Sequence, residues 1–341
     1  MSAAAPGTWL LTGGAGYIGA HVARALRTAG YSVVLLDDLS TGSLNRVGDL
    51  HLVKASVLDS PEATAARMLE HRVTGIVHLA ARKSVPESLI KPHHYYEVNV
   101  VGTLRLMEAA ALAGVTRLIY SSTAAVYGAG PERPITEEDN TGPANPYGES
   151  KLAAEWVVRR MAEANGMAWT SLRYFNAAGC GAGIRGDDTA PNLIPTAISQ
   201  VMRGDPVRVF GSDWPTPDGS NIRDYVHVED LADAHCAAVR YMEDSGRGAG
   251  VLNVGSGCGF SVFNVLETIS RLSGRSVRMT ITSRRPGDVA AVVADSSRIA
   301  SRLGWGPRHD LDSIVGSSIG AWVSARSRAR GGFRERTVEH A

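Results

Sequence analysis

A glycine-rich turn, TGGAGYIG at residues 12–19, follows the short apolar run TWLLT and opens an apolar-periodic stretch over 17–29. This feature restricts the fold more than any other. Gly13, Gly16 and Gly19, with the overlapping Gly14-x-Gly16-x-x-Gly19, allow a tight strand-to-helix turn. Such a turn lets a pyrophosphate approach backbone N–H groups at a helix N-terminus. Asp37 closes the next apolar run, YSVVLLD, about 20 residues on, where a carboxylate accepts from ribose hydroxyls. It would repel a 2′-phosphate, and no arginine stands between Asp37 and Arg46 to receive one. The cofactor expected is therefore NAD and not NADP.

The pattern beyond the turn continues this logic. HLVKA, GIVHLA, RLIYSS and AWTSLRYF read as strands, separated by helical stretches including 95–113 and 147–165. Short apolar strands alternating with helices give βαβ units and a parallel sheet covered on both faces. The fold class expected is α/β, a Rossmann-type doubly wound parallel sheet with a smaller α/β substrate-binding region. The first unit spans 1–175 and the second 176–330, where Gly, Pro, Asp and Asn become dense around helices at 193–203 and 228–242. A segment near 226–255, ending in VLNVG, is expected to return to the main sheet. Residues 331–341 form an Arg-containing tail, read as a solvated, frayed end.

Composition excludes several classes. Lys plus Arg is 35 and Asp plus Glu is 34, a net charge of +1 that makes no case for nucleic acid. No apolar run approaches the 18 or so residues of a membrane span. The N-terminus has no basic region and reads as a first strand, not a signal peptide. Three widely spaced cysteines, Cys180, Cys236 and Cys258, suit a reducing compartment, the cytoplasm. His93-His94 and Asp37-Asp38 have no further ligands at useful spacing, so no metal site is expected.

Tyr147 and Lys151 suggest chemistry as well as fold. Residues four apart share a helix face, and a lysine beside a tyrosine favours the phenolate. A tyrosine so placed, close to an oxidised nicotinamide, can remove a hydroxyl proton while hydride leaves the same carbon.

With these residues in place, the chain resembles the extended short-chain dehydrogenase/reductase family. TGGAGYIG, SSTAAVYG and Tyr147-x-x-x-Lys151 stand in the family's order. YFNAAG, PNLIP, FGSDWPTPDGSNIRDYVHVEDLADAH and RRPGDVAAVVAD resemble its UDP-glucose 4-epimerase branch, over about residues 8–323. The resemblance implies interconversion of UDP-glucose and UDP-galactose with tightly bound NAD and a 4-keto intermediate. It implies that Tyr147 is the base and acid, that Lys151 lowers its pKa and binds the nicotinamide ribose, and that Thr123 hydrogen-bonds the sugar 4-hydroxyl. Tyr17 and Ile18 would offer N–H groups to pyrophosphate. Asp37 and Asp38 would meet the adenosine ribose; Ser56, Val57, Leu79, Ala80 and Lys83 would lie along the cofactor. Asn99 and Phe175 would line the nicotinamide side. Lys83, Asn176, Asn192, Leu193, Phe210, Arg223, Tyr225, Arg285, Asp288 and Val292 would face the UDP-sugar. It also implies a homodimer, paired through the helices at 95–113 and 147–165.

The chain departs from the family pattern at three positions. Ser56 replaces a frequent Asp that meets the adenine amino group, and Asp38 replaces a common Asn. Val292 stands where a larger Tyr or a small Cys is usual. Its intermediate size leaves open an N-acetylated or uronic UDP-sugar as the alternative substrate. Thr123 is followed by Ala124 and Ala125, so the carboxylates that dehydratases use for elimination are missing. A non-catalytic NAD-bound scaffold is the remaining reading, and the intact Thr123, Tyr147 and Lys151 speak against it.

Overall fold

The computed structural model describes residues 7–184, 186–187, 192–285 and 287–335, with side chains as far as 327. Its strands are β1 (Thr8–Thr12), β2 (Ser32–Asp37), β3 (His51–Lys54), β4 (Val73–His78), β5 (Arg117–Thr123), β6 (Ala168–Tyr174), β7 (Asn176–Ala178), β8 (Val207–Phe210), β9 (Ile222–His227), β10 (Gly250–Val254), β11 (Gly259–Ser261), β12 (Met279–Thr282) and β13 (Ala291–Val292).

The main sheet has seven strands in the order β10-β6-β5-β4-β1-β2-β3. Every pair in it is parallel. Chain order reverses between β1 and β4, which opens a crevice beyond their carboxyl ends. The strands are apolar because both faces are covered. Trp9 and Leu11 face one layer with Val22 and Leu26 of helix Tyr17–Thr28 and Val239 and Met242 of helix Val228–Ser245. Leu10, Leu36 and Ile76 face the other, against Met68, Met107 and Val158. Gly75 pairs with Trp9, and a Cβ on it would sit 2.7 Å from the indole, so this glycine makes room for the largest side chain of the layer.

β10 lies beside β6, so a segment late in the chain completes the early sheet. The smaller region collects β7, β9, β11 and β13 into a second sheet and β8 with β12 into a third. Its core joins Ile194, Ile198 and Val201 of helix Leu193–Arg203 to Val265 and Ile269 of helix Val262–Ser273, with Ile314 and Val315. The last helix, Leu311–Glu335, continues well into the segment expected to fray. Arg336, the last arginine of that run, lies outside the described residues.

The single helix expected over 95–113 is three pieces: Pro92–Tyr96, a π-helical turn at Glu97–Val101, and Gly102–Leu112. The buried Asn99 explains the interruption. Its Oδ1 accepts from Arg82 N at 2.8 Å, while its Nδ2 donates to Arg82 O at 3.1 Å and to Ser150 Oγ at 2.9 Å. Widening the helix by one residue turns this amide inward, in keeping with the tendency of π-turns to occur near functional sites.

Candidate active site

The crevice at the strand-order reversal is a cavity of about 1160 Å³. A single drug-sized ligand occupies about 300–1,000 Å³, so there is room for a cofactor and a substrate. One end is lined by Gly13, Gly16, Tyr17, Ile18, Gly19, Asp37, Asp38, Ser56, Val57, Leu79 and Ala80. Tyr147, Lys151, Thr123, Lys83 and Phe175 line its middle. Asn176, Asn192, Leu193, Phe210, Arg223, Tyr225, Arg285, Asp288 and Val292 line the far end. Asn99 is 1% exposed and lies behind the wall, so it acts on the site by holding Arg82 and Ser150, not by facing a ligand.

The glycine turn is as tight as its spacing implies. Gly13 has φ +70°, and a Cβ on Gly19 would meet Gly13 O at 2.2 Å. Helix Tyr17–Thr28 then starts with no side-chain cap and no acidic residue in its first turn. Those exposed donors and the helix dipole suit a pyrophosphate. Asp37 accepts from Ala15 N at 3.0 Å and Leu39 N at 2.8 Å, which fixes its carboxylate at the end of β2. An ionised carboxylate offers about four acceptor sites, so capacity remains for ribose hydroxyls. Ser56 accepts from Leu58 N at 3.1 Å and holds its own turn. These residues fit NAD.

Thr123 ends β5 and caps a 3₁₀ turn, accepting from Ala125 N at 3.2 Å. Its hydroxyl therefore remains a donor, and it favours the ionised form of Tyr147. Tyr147 stands in the first turn of helix Pro146–Asn165, whose cap Asn145 accepts from Gly148 N at 3.0 Å. The Tyr95 ring meets the Tyr147 ring edge-on at 6.4 Å, and the Tyr95 hydroxyl is fixed on Ser84 O and Glu87 Oε2.

Burial raises the Tyr147 phenol above its ordinary value, and the Thr123 hydroxyl draws it down. Lys151 is itself 3% exposed, and burial draws its ammonium down to about 7, with Glu155 opposing. Desolvation acts on both partners of the pair, a cost that i, i+4 spacing alone does not reveal.

At the far end, strand register gathers residues that are distant in sequence. Val292 on β13 pairs with Arg223 on β9, and Asn176 on β7 pairs with Tyr225. Arg223 and Tyr225 are two apart and so point to one face. Arg223 Nη1 donates to Ile222 O and Val289 O, and Nη2 lies 3.9 Å from Asp288. Arg285 stacks 3.6 Å from the Phe210 ring centre. Asp187, which spacing did not single out, holds Lys83 at 3.1 Å and accepts from Asn192 Nδ2 at 3.0 Å.

Outside the cavity, His227, Glu229 and His309 bring three ligand-type atoms within 4.8 Å. The two imidazoles stack at 4.2 Å, His227 Nδ1 accepts from Glu229 N, and His309 Nδ1 is bound to Asp230. His227 has both ring nitrogens engaged, the second, Nε2, with Ser317 Oγ at 3.1 Å.

The model of the NAD dependent epimerase/dehydratase family matches residues 9–255. The chain belongs to that family. It is 43% identical over 327 residues to a UDP-glucose 4-epimerase of Azospirillum brasilense, covering 94% of this chain and 93% of the relative. A UDP-glucose 4-epimerase structure from Stenotrophomonas maltophila, with bound NAD and formylated UDP-arabinopyranose, superposes with a TM-score of 0.90 at 37% identity, over 95% and 99% of the two chains. A UDP-Glc/GlcNAc 4-epimerase structure from Campylobacter jejuni gives 0.81 at 35% identity, over 92% and 98%.

Proposed function

We propose that this protein interconverts UDP-glucose and UDP-galactose, with NAD as its bound cofactor. The observation that carries the reading is one cavity lined by a dinucleotide turn, the Thr123–Tyr147–Lys151 group and two arginines, Arg223 and Arg285. Names of the similar proteins support the glucose/galactose pair over the N-acetylated and uronic sugars that Val292 leaves open.

NAD, held by the glycine turn and Asp37, would supply the hydride acceptor and donor for the sugar carbon. The chain does the rest. Tyr147 takes the proton of the sugar 4-hydroxyl and later returns it. Thr123 holds that hydroxyl in line, and the Lys151 ammonium favours the phenolate while it is charged. Arg223 and Arg285 match diphosphate oxygens, keeping UDP anchored while the 4-keto sugar presents its other face. Lys83, 3.1 Å from Asp187, lines the same cavity and adds a positive charge to it. Ala124 and Ala125 offer no acid or base after Thr123, so oxidation at C4 is followed by reduction and not by loss of water.

Incubating the purified protein with UDP-galactose, without added NAD, tests this. UDP-glucose should accumulate to a fixed ratio; no conversion would overturn the reading.

No helix among the described residues is long and apolar enough to cross a membrane. The three unpaired thiols support a reducing, cytoplasmic location. Exposed Val101 of the π-turn, Leu104 and Leu112 of helix Gly102–Leu112 and Trp156 of helix Pro146–Asn165 support an apolar face. Tyr96 Oη donates to Glu149 at 2.5 Å, tying this face together. Such a face supports a homodimer, and sedimentation of a monomer at micromolar concentration would contradict it.

A further inference from the structure

Four of the 35 Lys and Arg residues are lysines: Lys54, Lys83, Lys91 and Lys151. At Lys151 the chain therefore keeps a compact ammonium whose charge burial can remove. One turn further along the same helix, Glu155 is 5% exposed and forms a two-pronged pair with Arg173 of β6. Arg173 Nε lies 3.0 Å from Oε1 and Nη2 2.7 Å from Oε2, and Ser171 Oγ adds a third contact at 3.1 Å. Arg173 is locked in turn, 4.8 Å from the Tyr127 ring centre, with Tyr127 Oη on Asn253 Oδ1 at 2.7 Å.

We propose that the Glu155–Arg173 pair is a positioning device that keeps the Lys151 ammonium charged and turned toward Tyr147. The proposal rests on the epimerase reading for its purpose, but its electrostatics can be measured without turnover.

Stability alone does not account for the pair, because an apolar replacement of a buried ion pair is often neutral or stabilising. Its placement does. Tyr147, Lys151 and Glu155 follow one another at helical one-turn steps. Lys151 Nζ stands 4.5 Å over the Tyr120 ring of β5. The titratable groups coupled to it are His78 of β4, which burial holds neutral, and Glu155, itself paired with Arg173. Of these, Glu155 is the group whose negative charge favours a proton on Lys151. Left free, that carboxylate would pair with Lys151 directly and draw the ammonium a turn away from Tyr147. The Arg173 fork occupies both oxygens, leaving a fixed dipole with its negative end toward the lysine.

The two halves therefore have opposite effects. In full-length protein carrying NAD and labelled with [ε-13C]lysine, four signals are expected, and Lys151→Arg identifies one. Glu155→Gln should lower the titration midpoint of Lys151 by roughly one to two pH units, and Arg173→Met should raise it. Each should lower kcat with little change in KM. The double variant leaves neither half of the ion pair buried without its partner and serves where a single variant fails to fold; its midpoint should fall below that of the unaltered protein. A purely structural pair would shift melting temperatures and leave the Lys151 midpoint unchanged in all three, which would overturn the proposal. Opposite shifts in a protein that does not epimerise would uphold the dipole and refute the assigned reaction.

Discussion

At the scale of single residues, the site depends on one phenol held in an unfavourable medium. Burial raises Tyr147, Thr123 lowers it, and Lys151 loses its own charge near neutrality. Tyr147→Phe keeps the ring and its edge contact with Tyr95 but removes the proton acceptor. Epimerisation should fall by about 10²–10⁴-fold, while the ratio of NAD to protein after gel filtration stays constant. Unchanged activity would remove Tyr147 from the chemistry. Tyr147, Lys151, Thr123 and the glycines were legible in the sequence because each belongs to a short local pattern. Asp187, Tyr95 and Arg173 were not. Lys83 meets Asp187 across 104 positions, and Glu155 meets Arg173 across 18, and no local spacing encodes either contact.

At the scale of elements, the π-turn at Glu97–Val101 aims Asn99 at the loop after β4 and at helix Pro146–Asn165. Asn99→Ala would leave the N–H and C=O of Arg82 without their partner. That should destabilise the fold by about 1–3 kcal/mol, seen as a lower urea midpoint with an unchanged slope. An unchanged midpoint would mean that the turn is held by packing alone. The alternating strands and helices of the first half were readable from periodicity. The turn was not, because an apolar stripe of 3.6-residue period looks continuous across one inserted residue. The small sheet was hidden for a related reason: β7 and β13 have three and two residues, and their pairing with β9 is set by the tertiary fold.

At the scale of the whole molecule, four buried histidines bind the layers while neutral. His21, His227 and His235 are held down to about 4, and His78 to about 3, mainly by burial. An unfolded chain protonates them near 6.5. Between those values the unfolded state binds more protons, so stability must fall as pH drops. Asp37 and Asp224, raised by burial, oppose the trend, and four histidines outweigh them. Melting temperature should decline steadily from about pH 6.5 toward 4. A flat profile would show that these rings gain protons in the fold.

Under the proposed function, a hydride leaves sugar C4 and returns to the same carbon within one turnover. UDP-galactose carrying deuterium at C4, converted in ordinary water and followed by NMR, tests it directly. UDP-glucose is expected with the deuterium still at C4. Replacement of that label by hydrogen from water would contradict it.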